Sequence, residues 1–154
     1  MKAPAAVTVV EVGPRDGLQN ERAPVPLAAK RDLVHALDAA GCPRLEVGAF
    51  VSPAWVPQMA ETGELLAALG GLRARASVLV PNAKGLEAAL AADVAEIAVF
   101  AAASETFAQK NTNGSIDEVA ARLEAVIAAA KARGRFVRVY VSCATHCPFE
   151  GPVA

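Results

Sequence analysis

The chain's 154 residues suffice for one domain, and an apolar fraction of 54% is ample for a packed core. A net charge of −1, with basic residues scattered along the chain, excludes the electrostatic footprint of a nucleic-acid binder. Three cysteines do not make a disulfide framework, and the apolar run ending at Glu11 is too short for a signal peptide or a bilayer span, so a reducing cytoplasm and no membrane partner are expected.

The first predicted strand is Val7–Val12. It runs into 11-EVGPRDGLQNE-21, a loop that holds a Gly-Pro turn, the adjacent pair Arg15 and Asp16, a second glycine and the amide of Gln19. A helix over Leu27–Ala40 follows, with Leu33, Val34 and Leu37 on one face and Gly41 as its stop. The second strand, Arg44–Val47, carries Glu46 between apolar neighbours. In 50-FVSPAWVPQMA-60 the two prolines predict a rigid loop, with Trp55 and Met59 as a hydrophobic wall beside the strand ends. A helix at Thr62–Leu69, a strand at Arg75–Val80, a helix at Lys84–Ala92 and a strand at Glu96–Phe100 come next. The last helix, Ser115–Arg133, opens with the Ser115/Glu118 spacing of a capping box and stops at Gly134, before a fifth strand at Phe136–Ser142.

Strands alternating with helices imply a parallel sheet with right-handed crossovers. The glycine fingerprint of open-sheet nucleotide binders is absent after the first strand. Polar residues instead follow or occupy every strand: Arg15 and Asp16, then Glu46, Asn82, Ser104 with Glu105, and Ser142. Function gathered at many carboxyl ends is the (β/α)₈ barrel pattern, and residues 1–154 supply five of its strands and four of its helices as part of a single catalytic domain. Closing the barrel takes three more strands and roughly 100 residues. The chain by itself is therefore expected to be inactive and, if soluble, associated, because a parallel edge and an apolar face lack their covering.

Asp16 is a hard oxygen ligand for Mg²⁺ or Mn²⁺, and the Arg15 fork suits a carboxylate or a developing enolate; a loop salt bridge with Asp16 capping the first helix is the structural alternative. Glu46 cannot lie unpaired in a buried strand, and Arg15 on the adjacent strand is its obvious partner. Cys143, His146 and Cys147 form a C-x-x-H-C cluster without the fourth ligand that structural zinc needs, so a turn with a partly buried thiol is the better reading. His35 reads as a surface histidine.

These segments together carry a resemblance. The stretches 10-VEVGPRDGLQNE-21, 50-FVSPAWVPQMA-60, 81-PNAKGLEAA-89, 103-ASETFAQKN-111 and 138-RVYVSCATHCPFEG-151, in this order, resemble the N-terminal half of the hydroxymethylglutaryl-CoA lyase family. The resemblance implies a divalent-metal-dependent (β/α)₈ enzyme that cleaves 3-hydroxy-3-methylglutaryl-CoA to acetoacetate and acetyl-CoA, a reaction of leucine degradation and ketone-body metabolism. It implies a metal ligand at Asp16 and catalytic roles for Arg15, which also contacts substrate, and for Glu46. It places Gln19, Arg138, Tyr140 and Ser142 at the acyl-CoA substrate, and it implies a homo-oligomer. The family's His-x-His metal pair, its Asn ligand and its loop with a catalytic Cys have no counterpart in these residues. Related acyl-CoA lyases and condensing synthases share the short Arg-Asp-Gly-x-Gln core, and a non-catalytic half-barrel is the other alternative. Ala49, Gly114, His146 and Phe149 depart from the family's usual residues; Arg15, Asp16 and Glu46 do not.

Overall fold

The computed structural model describes residues 4–153; Met1–Ala3 and Ala154, which the expected domain includes, lie outside the described residues. Five strands form one parallel sheet: β1 (Val10–Glu11), β2 (Arg44–Ala49), β3 (Arg75–Leu79), β4 (Glu96–Ala102) and β5 (Phe136–Ser142). Their order in space is their order in sequence. A doubly wound sheet reverses direction at a switch point, and this one does not. The intervening helices are α1 (Leu27–Ala39), α2 (Thr62–Leu69), α3 (Ala83–Ala91), α4 (Glu105–Thr112) and α5 (Ile116–Ala132).

The alternation of side chains along each strand divides the sheet into two faces. Leu45, Val47, Val78, Val80, Ile97 and Val99 point outward and pack with Val34, Leu65, Leu69, Leu86, Leu123 and Val126 of the helices. The inner face is different in kind: Glu46, Ser77 and Glu96 are fully buried there, beside a smaller apolar cluster of Ala49, Leu79, Ala98 and Met59. Between β2 and β3 the register slips at Glu46–Gly48, so that β2 carries one extra residue. Gly48 sits at that slip because Thr62, at the start of α2, presses against it. A Cβ on Gly48 would lie 2.7 Å from Thr62 Oγ1, whose hydroxyl ties the backbone of Ala49 to that of Met59.

Several expected boundaries move. β1 is two residues, not Val7–Val12: β2 begins at Arg44 behind Pro43, which has no N–H to extend the ladder toward Val7. α4 carries no periodic signal in the sequence, because Ala108 is its only buried residue; its N-cap is Ser104, whose hydroxyl accepts from Phe107 N at 3.1 Å. Among the described residues there are thus five α-helices rather than four. Beyond β5, two-residue strands β6 (His146–Cys147) and β7 (Gly151–Pro152) pair antiparallel, too short to announce themselves. In α1 Val34 is fully buried and Leu37 partly, but Leu33, expected on the same face, is 36% exposed; the chain turns out at Gly41 with φ 88°. The capping box at Ser115 and Glu118 is formed in both directions.

Apolar side chains are exposed on both border strands. Val139 and Val141 on the outer face of β5 are 50% and 57% exposed, and Val7 and Val9, leading into β1, are 79% and 65% exposed. The 154-residue chain alone should elute as an assembly larger than its 15.8 kDa monomer, and Val139→Lys with Val141→Lys should shift it toward monomer. Light scattering checks this; a monodisperse monomer before substitution contradicts it.

Candidate active site at the carboxyl ends of the strands

The loop after β1 is built to separate two neighbours. Gly13–Gly17 wind into a π-helical turn in which Val12 O accepts from Arg15 N at 3.0 Å and Asp16 N at 2.7 Å. Pro14 occupies the first turn, where its missing N–H costs nothing, and Gly13 N donates to Glu11 Oε1 at 2.6 Å. The turn drives Arg15 inward, only 9% exposed, and leaves the Asp16 carboxylate 54% exposed at the rim. Asp16 caps no helix. Its Oδ1 accepts from Arg15 Nη1.

Arg15 pairs with Glu46 as the buried carboxylate demands: Nε donates to Glu46 Oε1 at 2.6 Å. Glu46 Oε2 accepts twice more, from Arg138 Nη2 and from the Tyr140 hydroxyl, both at 2.8 Å. Two strands lie between β2 and β5, a span of about 14 Å in a flat sheet, so these contacts require the sheet to curl around Glu46. Arg138 reaches further down. Its Nη2 also donates to Ser77 Oγ and its Nη1 to Glu96 Oε1, each at 3.1 Å, while Arg44 Nη1 closes on Glu96 Oε2 at 2.7 Å. The Arg44 guanidinium lies 5.2 Å from the Phe136 ring centroid.

The result is a chain of alternating charge from rim to floor: Asp16, Arg15, Glu46, Arg138, Glu96, Arg44. Three carboxylates meet three guanidiniums, so the row from the exposed Asp16 to Arg44 is neutral as a whole. The Tyr140 phenol is pushed above its ordinary value, first by burial and then by the hydrogen bond to the Glu46 carboxylate and its charge; Arg138 opposes the shift.

Of the sequence-predicted residues, Arg15, Asp16, Glu46, Arg138 and Tyr140 come together. Gln19 is half-buried just past the π-helical turn, and Ser142 is half-buried at the end of β5, where its carbonyl accepts from Ala103 N. Asn82 and Ser104 are helix caps, and Glu105 accepts from Ile116 N, so three of the polar strand-end residues hold local structure. Met59 is buried in the inner cluster, but Trp55 is 84% exposed and forms no wall with it. His35 is exposed, as expected.

The C-x-x-H-C cluster is a turn. Cys143 adopts φ 57°, His146 is exposed, and Cys147 is fully buried with its Sγ accepting from Ser104 Oγ at 2.9 Å. Burial raises the Cys147 pKa, but the Ser104 hydroxyl and the Phe149 and Glu150 amides more than offset it, leaving it below the usual thiol value. Among the described residues no group of three or more His, Cys, Asp or Glu converges as a metal site. Sequence reasoning missed Glu96, Ser77 and Arg44. The available signal was parity: a carboxylate opening an apolar strand, two residues before the inward-facing Ala98.

Residues 6–151 match the HMGL-like family model. The chain belongs to the HMGL-like family. It is 52% identical to a Pseudomonas aeruginosa protein named 3-hydroxy-3-isohexenylglutaryl-CoA/hydroxy-methylglutaryl-CoA lyase, over 99% of this chain and 51% of that protein. It is 49% identical to the mitochondrial hydroxymethylglutaryl-CoA lyase of Bos taurus, over 98% of this chain and 47% of that protein. A crystal structure of the hydroxymethylglutaryl-CoA lyase from Pseudomonas aeruginosa aligns with a TM-score of 0.93 at 50% identity, covering 98% of this chain and 51% of that one. An Acinetobacter baumannii HMG-CoA lyase, solved with coenzyme A and 3-methylmalate, aligns at 0.90 and 31% identity, covering 100% of this chain and 51% of that one. The five parallel strands therefore correspond to the N-terminal part of the HMG-CoA lyase TIM barrel, and the chain spans about half the length of the relatives it matches. Among the described residues no helix is long and apolar enough to cross a membrane.

Tyr140 is the only tyrosine in the sequence, so phenolate absorbance reports it alone. Its titration midpoint in the folded chain should lie above the ordinary value of about 10. Because the folded pKa is raised, the stability it contributes is complete below the unfolded pKa and is lost as pH rises through the folded one. A midpoint at or below that of unfolded chain contradicts the Tyr140–Glu46 bond.

Proposed function

We propose that this chain supplies one half of the active site of a carbon–carbon lyase that cleaves 3-hydroxy-3-methylglutaryl-CoA to acetoacetate and acetyl-CoA. The observation that carries the reading is the Arg15 guanidinium, buried at the strand ends, locked by Glu46 and set beside an accessible carboxylate. In retro-Claisen cleavage the C3 hydroxyl gives up its proton and becomes acetoacetate's ketone, while the electron pair of the broken C–C bond becomes negative charge on the thioester oxygen. A fixed guanidinium stabilises that charge until the enolate carbon is protonated to acetyl-CoA.

In this reading Arg15 donates to that oxygen as charge develops, and Glu46 keeps its fork from swinging toward Asp16 alone. Arg138 and Tyr140 hold the other Glu46 oxygen, so the carboxylate cannot rotate away from Arg15. Gln19 and Ser142 border the acyl group. Asp16 fits a divalent cation: it is a hard oxygen donor at the rim, half exposed, and Mg²⁺ is commonly held by only one or two carboxylates together with water and substrate. Such a cation supplies Lewis-acid polarisation of the substrate oxygens. With Cys42, Cys143 and Cys147 all free thiols, a reducing compartment such as the cytoplasm suits the protein, and the exposed valines of β5 suit an assembled state.

A second reading has its own support: the Pseudomonas aeruginosa relative's name includes a substrate with a longer substituent at C3. Product analysis with both thioesters, in the complete enzyme carrying this chain, separates the two. Cleavage of neither overturns the lyase assignment.

Arg15→Lys should lower kcat by about 10²–10³-fold with KM little changed, since an ammonium lacks the planar fork that meets both Glu46 and the developing charge. Near-parental turnover would remove Arg15 from the chemistry. Asp16→Asn should weaken Mn²⁺ binding and leave the unfolding midpoint in place, because the Asp16 carboxylate caps nothing and, among the described residues, hydrogen-bonds only Arg15. A collapsed midpoint with unchanged Mn²⁺ affinity would make it a structural residue.

A further inference from the structure

We propose that Glu96, at the floor of the curled sheet, is a positioning residue that sets the height of Arg138 and through it the placement of Glu46 and Arg15. The inference rests on the lyase reading of the rim, but its structural half does not.

Glu96 opens β4 and is fully buried on the inner face. It touches no rim residue. Each of its oxygens holds a different guanidinium: Oε1 accepts from Arg138 Nη1 at 3.1 Å and Oε2 from Arg44 Nη1 at 2.7 Å. Arg138 is thereby stretched between two carboxylates on different strands, with Nη2 on Glu46 of β2 and Ser77 and Nη1 on Glu96 of β4. Its Nε is buried without a hydrogen-bond partner, so its hydrogen bonds run through the two Nη atoms, and the guanidinium also lies 5.3 Å from the Tyr140 ring centroid. If the lower anchor loses its charge, Arg138 has only Glu46 as a carboxylate, and its pull competes with Arg15 for that group. A group that never meets substrate then controls one that does.

A purely structural role for Glu96 is the competing explanation, because Arg44 also needs a counter-ion. Three variants separate them in the complete enzyme. Glu96→Gln leaves Arg44 and Arg138 with a neutral partner, and both stability and turnover should fall, kcat by about 10–100-fold with KM less affected, the scale seen when a residue supporting an active-site group is removed. Adding Arg44→Gln restores charge balance in the row. The double variant should regain much of the lost stability while kcat stays low, since Arg138 still lacks its lower carboxylate. Glu96→Asp, which keeps the charge on a shorter arm, should recover part of kcat.

A double variant with parental kcat would overturn the proposal and reduce Glu96 to a counter-ion for Arg44. If the parent enzyme cleaves neither thioester, the lyase reading has failed instead, and Arg138 placement is read from the Tyr140 phenolate titration, taken as a difference against Tyr140→Phe. A midpoint lower in the charge-balanced double variant than in the parent shows Arg138 released toward Glu46 and Tyr140; an unchanged midpoint shows that Glu96 did not position it.

Discussion

Everything at the carboxyl ends of these strands depends on one buried carboxylate. Glu46 has no exposed surface and takes three hydrogen bonds, two of them from guanidiniums. An isolated carboxylate in that position would cost far more than the domain's net stability, so its partners are obligatory rather than decorative. Buried ion pairs are weak evidence for stability relative to apolar packing, but strong constraints on geometry once present, because removal of one member strands the others. In this protein the constraint propagates upward to Arg15 and Asp16 and downward to Arg138, Glu96 and Arg44. The cost of burying charge thus fixes where the rim's guanidinium can be.

The backbone makes that placement possible. The sequential strand order brings β5 round toward β2, and the curl lets Tyr140 and Arg138 reach Glu46 from across the sheet. The extra residue in β2 keeps Glu46 and Ala49 both on the inner face although they are three apart, and Gly48 admits Thr62 at that point. At the rim, the π-helical turn after β1 lets consecutive residues face different environments, Arg15 the interior and Asp16 the solvent. Helix caps at Asn82 and Ser104 complete the strand ends without joining the charged row.

Much of this was legible in the sequence because the controlling physics is local or compositional. β-branched runs alternating with capped helices dictate a parallel sheet, and a glutamate inside a buried strand demands a cation, with Arg15 the nearest candidate on an adjacent strand. The floor of the site was not legible. Glu96 and Arg44 each open a strand, where a charged residue ordinarily reads as a solvated end, and in the curled sheet both turn inward, Glu96 to Arg138 and Arg44 to Glu96. Trp55, expected to form a wall with Met59 beside the strand ends, is instead 84% exposed, while Met59 packs in the inner cluster. α4 escaped because a single buried alanine leaves no hydrophobic period to detect.

The measurement that tests this account most directly is the unfolding free energy of Glu46→Gln, compared with the parent under the same conditions. The substitution preserves shape and changes one charge, leaving Arg15, Arg138 and the Tyr140 hydroxyl all directed at a group with one acceptor oxygen. If Glu46 organises the buried row, the loss should be about 3–5 kcal/mol, the cost of breaking a buried ion pair from one side. A loss within about 0.5 kcal/mol, the range of an ordinary surface substitution, would contradict it.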